Sequence, residues 1–176
     1  TTVGYGDIAP TTGIGKAFGA IVMILGIGIL GVFTATIASV LVEKKMKEDR
    51  GMGSYDFEDH LIICGWNDRA DDVLSELRKD SRWSERPIVL IAEIDTKPVD
   101  DEELYFLQGK VVENVLTRAN LAKADTVVML GDDRLDPNTR DAQNVLAVLT
   151  VESLNPDAYS VVELADEANV QHCRRA

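Results

Sequence analysis

From Ala17 to Val42 the chain carries no charged side chain, a run of 26 consecutive positions. In water such a run has no solvent-facing side to offer, whatever secondary structure it adopts. As a helix it extends roughly 39 Å at about 1.5 Å per residue, enough to cross a hydrocarbon core of about 30 Å with some tilt. Thr34, Thr36 and Ser39 interrupt it late with small hydroxyls, which suit a helix packed on other helices or lining water. The run is too long for a signal-peptide core, and basic residues follow it rather than lead it. The lysines of Glu43-Lys44-Lys45-Met46-Lys47-Glu48-Asp49-Arg50 place the C-terminal end of the span in the cytoplasm by the positive-inside bias.

Ahead of the span stands Thr1-Thr2-Val3-Gly4-Tyr5-Gly6-Asp7. Two glycines at alternate positions permit positive φ, so successive carbonyls can face one side. Thr2 adds a hydroxyl at the inner end, Val3 and Tyr5 face away, and Asp7 puts a carboxylate at the mouth, where it attracts cations. This segment is identical to the selectivity-filter sequence of potassium channels. The resemblance implies that Thr2, Val3, Gly4, Tyr5 and Gly6 coordinate K⁺ from four copies around one axis. Within the span, Leu25-Gly26-Ile27-Gly28-Ile29-Leu30-Gly31 places three glycines where each costs about 1 kcal/mol against alanine. In channels that look like this one the inner helix bends at a glycine where Gly26 stands, which makes Gly26 the expected gating hinge. Gly28 and Gly31 read as packing or pore-lining positions.

Residues 1–50 hold four acids and five bases, a net of +1, so the chain's −12 leaves −13 on residues 51–176. Such an acidic domain argues against a nucleic-acid partner. Gly51-Met52-Gly53-Ser54 reads as a linker. Two cysteines, Cys64 and Cys173, make no disulfide framework, and Cys64 reads as a buried apolar residue.

Beyond the linker, apolar runs alternate with helical patterns. Strands are expected at 60–64, 88–92, 110–113, 126–130 and 159–163. Helical stretches are expected at 68–79, 101–108, 117–122, 138–154 and from 166 onward. Continuous apolar strands separated by helices imply a parallel sheet covered on both faces, and right-handed crossovers make it an α/β Rossmann-like doubly wound fold.

A filter, an inner helix, a linker and then Ile62-Ile63-Cys64-Gly65-Trp66-Asn67 opening a Rossmann unit resembles the RCK (regulator of potassium conductance) family of ligand-gated prokaryotic channels. The resemblance spans essentially all 176 residues. It implies residues 1–7 as filter, 8–16 as outer mouth, 17–43 as inner transmembrane helix, 44–58 as cytoplasmic linker and 59–176 as the RCK Rossmann domain. It further implies a homotetramer in the plasma membrane of a prokaryote, with cytoplasmic RCK domains assembled in a gating ring that pulls on the inner helices. The family pattern also leads one to expect pore elements before Thr1 and further RCK elements after Ala176.

The ligand is the harder reading. A dinucleotide loop has the form G-x-G-x-x-G; here it is Gly65-Trp66-Asn67-Asp68-Arg69-Ala70, with Asn67 in place of the second glycine. The helix N-terminus still offers free N–H groups to an anion, capped by Asn67 or Asp68. Glu93 ends the second strand, where an acid would bind ribose hydroxyls. It lies 28 residues past Gly65, beyond the usual ~20, because of the insert at 80–87. Gly65, Trp66, Asn67, Asp68, Arg69, Glu93 and Asp132 are thus the candidate NAD or adenine-nucleotide residues. Ca²⁺ is the rival or modulator, with oxygens from Asp132, Asp133 and Glu163. Calcium-gated relatives imply an acid after the fourth strand and a pair flanking the fifth. Glu163 matches the first of that pair, Asp132 takes the fourth-strand place, and Ala165 stands where the second acid of the pair belongs. Asp100-Asp101-Glu102-Glu103 is a further acidic run, equally explained as a helix start. The Rossmann sheet would also suit a dehydrogenase, but His60 and His172 stand apart and no nucleophile–base set accompanies them. Fold alone does not give an activity, and the expectation is a channel and not an enzyme.

Overall fold

The structure is a computed structural model describing residues 10–170. The expected filter, Thr2 to Gly6, and the last six residues with His172 and Cys173 lie outside the described residues. The chain divides into a unit ending at Met46 and a second beginning at Lys47.

Among the described residues of the first unit the one element is α1 (Gly13–Asp49), which continues three residues into the second unit. Its apolar window has a mean hydropathy of 2.5, long and apolar enough to cross a membrane. Ile24, Leu25, Ile27, Ile29, Leu30, Val32 and Phe33 are all exposed; at 100° per residue they cover every side of the helix. The hydroxyls of Thr34 and Thr36 bond back to the carbonyls of Leu30 and Val32, each at 2.9 Å, so neither leaves a polar group unpaired in an apolar surrounding. The helix runs on through Lys44–Asp49, so the first part of the expected 44–58 linker is helical.

The second unit is a five-stranded sheet, β1 (His60–Cys64), β2 (Ile88–Ala92), β3 (Leu104–Gln108), β4 (Ala124–Met129) and β5 (Tyr159–Val162), with α2 (Ala70–Lys79), α3 (Glu113–Arg118) and α4 (Pro137–Leu154). The order is β3-β2-β1-β4-β5 and every pairing is parallel. All residues of β1 and β2 are buried, as the continuous apolar runs require of a sheet covered twice. Leu61, Ile63, Leu90 and Phe106 pack with Ala70, Leu74 and Trp83 on one face. Ile62, Val89, Leu107 and Val127 pack with Leu116, Val148 and Val151 on the other. Cys64 is sealed in that second layer, and burial pushes its thiol up to about 12, so it is an inert apolar filler.

The third strand departs from the sequence reading. Residues 104–108, expected to be helical, form β3, and 110–113, expected to be a strand, do not. The acids at 100–103 imitate a helix start. In the fold Asp101 instead accepts both arms of Arg78, at 2.8 and 3.0 Å, and the Glu103 amide at 2.9 Å. That tight turn delivers Leu104 and Phe106 into the core beside β2. Gly109, at φ +145°, ends the strand, and Glu113 opens α3. Arg78 also donates to the carbonyls of Trp83 (2.7 Å) and Arg86 (2.9 Å). One guanidinium thereby fastens the 80–87 insert, with Trp83 only 6% exposed beneath it. Arg78→Ala is expected to lower the thermal midpoint by several degrees, because it strands a part-buried carboxylate and two carbonyls. A melt within one degree of wild type contradicts that role.

Candidate functional site

The strand order reverses between β1 and β4, and in open α/β sheets ligands bind beyond the strand ends at that switch point. Gly65 leaves β1 at φ +92°, and a Cβ there would lie 2.7 Å from the Leu130 carbonyl oxygen, so the first glycine of the loop is required by the backbone alone. Asn67 stands where the dinucleotide pattern has its second glycine. Its amide nitrogen donates to the Gly131 carbonyl (2.9 Å) and to Glu163 Oε2 (3.0 Å), while its oxygen accepts the Arg69 amide at 3.1 Å. It thus ties the loops after β1, β4 and β5 together. The capping position of α2 is Arg69, with no side-chain cap of its own.

Glu163 is the centre of the crevice. Oε2 also accepts the Gly131 amide at 2.8 Å, and Arg69 closes on Oε1 as an ion pair without hydrogen-bond alignment. Arg69 further lies 3.7 Å from Asp133. Asp133 accepts Arg140 at 2.7 Å, and Asp132 holds Arg134 by two bonds of 2.8 Å. The Arg134 hydrogen bond, opposed by partial burial, keeps the Asp132 carboxyl below its usual range. Each proposed calcium ligand, Asp132, Asp133 and Glu163, is therefore already matched with an arginine. Among the described residues no three His, Cys, Asp or Glu side chains converge as a metal-ready group, so the expected Ca²⁺ set is not preassembled. A cation would have to displace guanidiniums from these acids, and an anion would have to displace the acids from the guanidiniums; Arg69 and Arg134, 57% and 72% exposed, are the ones solvent reaches.

The other candidates lie around this centre. Trp66 is half-buried against the α2-side core, Asp68 is exposed at the turn, and Glu93 is exposed after β2, 4.0 Å from Lys110 Nζ. Glu93 also acts electrostatically on Arg134. Gly26 lies within α1 in helical backbone. At Gly28 and Gly31 nothing comes within 4 Å of an added Cβ, so no contact inside one chain demands glycine at those two positions.

Four site residues were absent from the sequence reading. Arg134 and Arg140 neutralise the acids. Asn144 donates to the Glu163 carbonyl at 2.8 Å. Asp141, 1% exposed, accepts the amides of Ala165 (2.8 Å) and Asp166 (2.9 Å) and the Asn169 side chain (2.9 Å). The signal was present: Asp136-Pro137 marks an N-cap and N1, and Asp136 accepts Thr139 N at 3.1 Å. Arg140 and Asn144 then fall on one face at i, i+4.

Residues 56–162 match the family model of the calcium-activated potassium channel slowpoke-like RCK domain, and residues 1–43 match an ion-channel model. The putative potassium channel protein YugO of Bacillus subtilis is 30% identical over 177 aligned residues, covering 100% of this chain and 53% of the relative. The calcium-gated potassium channel TvoK of Thermoplasma volcanium is 31% identical over 176, covering 98% and 49%. The chain thus spans about half the length of these relatives. Among solved structures, the GsuK channel bound to NAD superposes with a TM-score of 0.64 at 18% identity, covering 97% of this chain and 31% of that one, a likeness of fold.

Proposed function

The chain belongs to the RCK-domain family of potassium channels, and from that premise we propose that it is one subunit of a K⁺-selective channel whose open probability is set by a cytosolic ligand of its RCK domain. The observation that carries this is the union, in one chain, of a channel-matched segment at 1–43 and a Rossmann sensor at 56–162. Four copies would line the pore with Thr2, Val3, Gly4, Tyr5 and Gly6. The lysines after the span would face the cytoplasm, and the acidic domains would assemble as a gating ring.

For the ligand we favour a nicotinamide or adenine nucleotide. Its phosphates would compete with Glu163, Asp133 and Asp132 for Arg69, Arg140 and Arg134, and its ribose would meet Glu93. GsuK, a fold neighbour, is described as bound to NAD. Calcium is the second reading, since TvoK is named calcium-gated; the arginines would then have to release the acids. Either ligand gates only if it prefers one conformation of the ring, since equal affinity for both shifts nothing.

Single-channel recording of the full-length protein, with NAD⁺ and Ca²⁺ titrated separately on the cytoplasmic face, tests this. A nucleotide response supports the favoured reading; a response to Ca²⁺ alone replaces it with the second. Glu93→Ala is expected to weaken the NAD⁺ response on the order of tenfold, the worth of one lost charge-assisted hydrogen bond, with K⁺ over Na⁺ selectivity unchanged. Loss of selectivity in that variant contradicts the division of labour. Gly26→Ala stiffens α1 by about 1 kcal/mol per subunit and is expected to lower maximal open probability while unitary conductance stays the same. An unaltered gating curve removes Gly26 as the hinge.

A further inference from the structure

Between Asp49 and His60 the chain is fastened along the domain and has little slack. Ten free, glycine-bearing residues would behave as a coil of roughly 17 Å r.m.s. span, able to absorb small displacements at either end. Here the segment is extended, with Tyr55 and Phe57 turned to the core and Ser54, Asp56 and Glu58 outward. Tyr55 and Phe57 stack at 5.7 Å and both meet Tyr105, at 5.1 and 4.5 Å.

The fastening centres on Arg118, the last residue of α3. Its Nη2 donates to the Gly51 carbonyl at 2.8 Å. Nε and Nη2 both donate to the Gly53 carbonyl, at 3.0 and 2.7 Å. Its own carbonyl accepts the Tyr55 amide at 2.8 Å and the Ser54 hydroxyl at 3.4 Å. Downstream, Asn120, held at φ +53°, donates to Asp56 and to the Phe57 carbonyl, each at 2.9 Å. Lys123 pairs with Glu58, and its carbonyl accepts the Asp59 amide at 2.9 Å. Upstream, the Gly51 carbonyl accepts the Gln108 amide at 3.2 Å, the Met52 amide returns to Lys47 O at 3.0 Å, and the Asp49 carbonyl takes the Lys97 amide at 2.9 Å. A planar fork reaching two carbonyls two residues apart is a task for arginine; lysine is a single point charge.

We propose that Arg118 is the positioning residue of gating: it clamps residues 51–55 to α3, so that a shift of α3 is delivered to the segment entering α1 rather than lost in a slack linker. The proposal rests on the ligand-gated reading above. Nothing in it requires Arg118 to touch ligand, and α3 lies apart from the Gly65–Glu163 crevice in the residues that build it.

The test uses full-length channel carrying Arg118→Gln, Arg118→Lys or Asn120→Gly, the last keeping the left-handed backbone while removing the bonds to Asp56 and Phe57. Hydrogen exchange is expected to show slow amides at Met52, Tyr55, Asp59 and Gln108 in wild type. In Arg118→Gln, exchange at Met52, Tyr55 and Gln108 should rise at least tenfold while Ile63 and Val128 stay protected, which also reports that the domain has folded. Binding of NAD⁺ and Ca²⁺ should stay within twofold, while the ratio of saturated to ligand-free open probability collapses by about tenfold; Arg118→Lys recovers part of it, and Asn120→Gly shows a smaller loss. Fast strap amides in wild type, or full coupling in Arg118→Gln, overturn the clamp. A wild-type channel that conducts but ignores both probes overturns the ligand-gated reading instead, and leaves Arg118 nothing to couple.

Discussion

Gly51→Ala is expected to release the clamped segment almost completely. Gly51 sits at φ +65°, and a Cβ there would stand 2.1 Å from the Gln108 backbone nitrogen and 2.8 Å from the Leu107 carbonyl carbon. Left-handed φ costs an alanine about 1–2 kcal/mol. The clash is with backbone of β3, which no rotamer change relieves, so the segment must lift away. Lifting forfeits the charge-assisted bond from Arg118 and the Gln108 amide bond, and the former is worth about 1.5–3 kcal/mol. The strain at Gly51 and the loss of these two anchors weaken the strap's hold, whereas a domain's total stability is about 5–15 kcal/mol. The strap therefore lets go while the sheet survives. Hydrogen exchange would show Met52 and Tyr55 unprotected with β1 and β4 intact, and under the ligand-gated reading proposed above the channel's ligand response would be lost. Gly53→Ala supplies the contrast: its Cβ would meet the tip of Tyr55, 3.0 Å from the hydroxyl oxygen, a side-chain end that can move. Its effect is expected to be several-fold smaller. Equal behaviour of the two variants would mean that glycine flexibility, not the fit of Gly51 against β3, sets the coupling.

That contrast also marks where the sequence stops being informative. The span, β1, β2, β4, α4 and the doubly wound sheet are all legible, because each rests on a periodicity or a run that burial makes obligatory. β3 was misplaced because Asp100–Glu103 satisfies two rules at once, the helix start and the acidic turn. Only the arrival of Arg78 from α2 decides between them. The clamp at 51–59 was invisible for a different reason. Arg118 binds carbonyl oxygens, and backbone acceptors leave no trace in residue type, so Gly51-Met52-Gly53-Ser54 reads as a loose linker. For the crevice, Asn67, Arg69, Asp132, Asp133 and Glu163 all stand out in the sequence as candidates. Their pairing does not, because a carboxylate reads as a cation ligand until α4 and its preceding loop bring Arg140 and Arg134 to it. The acids and bases of this site are complementary halves, and under the ligand-gated reading proposed above a ligand would exchange with one half.

The rim of that crevice is expected to loosen in acid, through Asp141. Burial alone would raise this carboxyl, but the Ala165 amide, the Asn169 side chain and the Asp166 amide together hold it below the ordinary carboxylate range. A carboxyl with a depressed folded value contributes stability above its unfolded value and loses it as pH falls through the folded one. At neutral pH the ionised Asp141 therefore pins residues 165–169 to α4, and acidification through the carboxylate range releases them. Asp141→Asn keeps the shape but offers one acceptor where two amides and a side chain converge, and it turns an N–H toward donors. It is expected to cost about 2–3 kcal/mol at pH 7, the worth of lost bonds to a buried charge. The decisive observable is the difference between wild type and variant in urea unfolding as a function of pH. It should be largest at neutral pH and shrink toward zero as wild-type Asp141 protonates, because both proteins then carry a neutral group. A difference that stays constant from pH 7 into the acid range would mean the carboxylate charge is not what holds the segment. Under the nucleotide reading proposed above, the same variant should weaken NAD⁺ binding without altering unitary K⁺ conductance, since the loop it frees begins beside Glu163, whose carbonyl is held by Asn144 of the same helix.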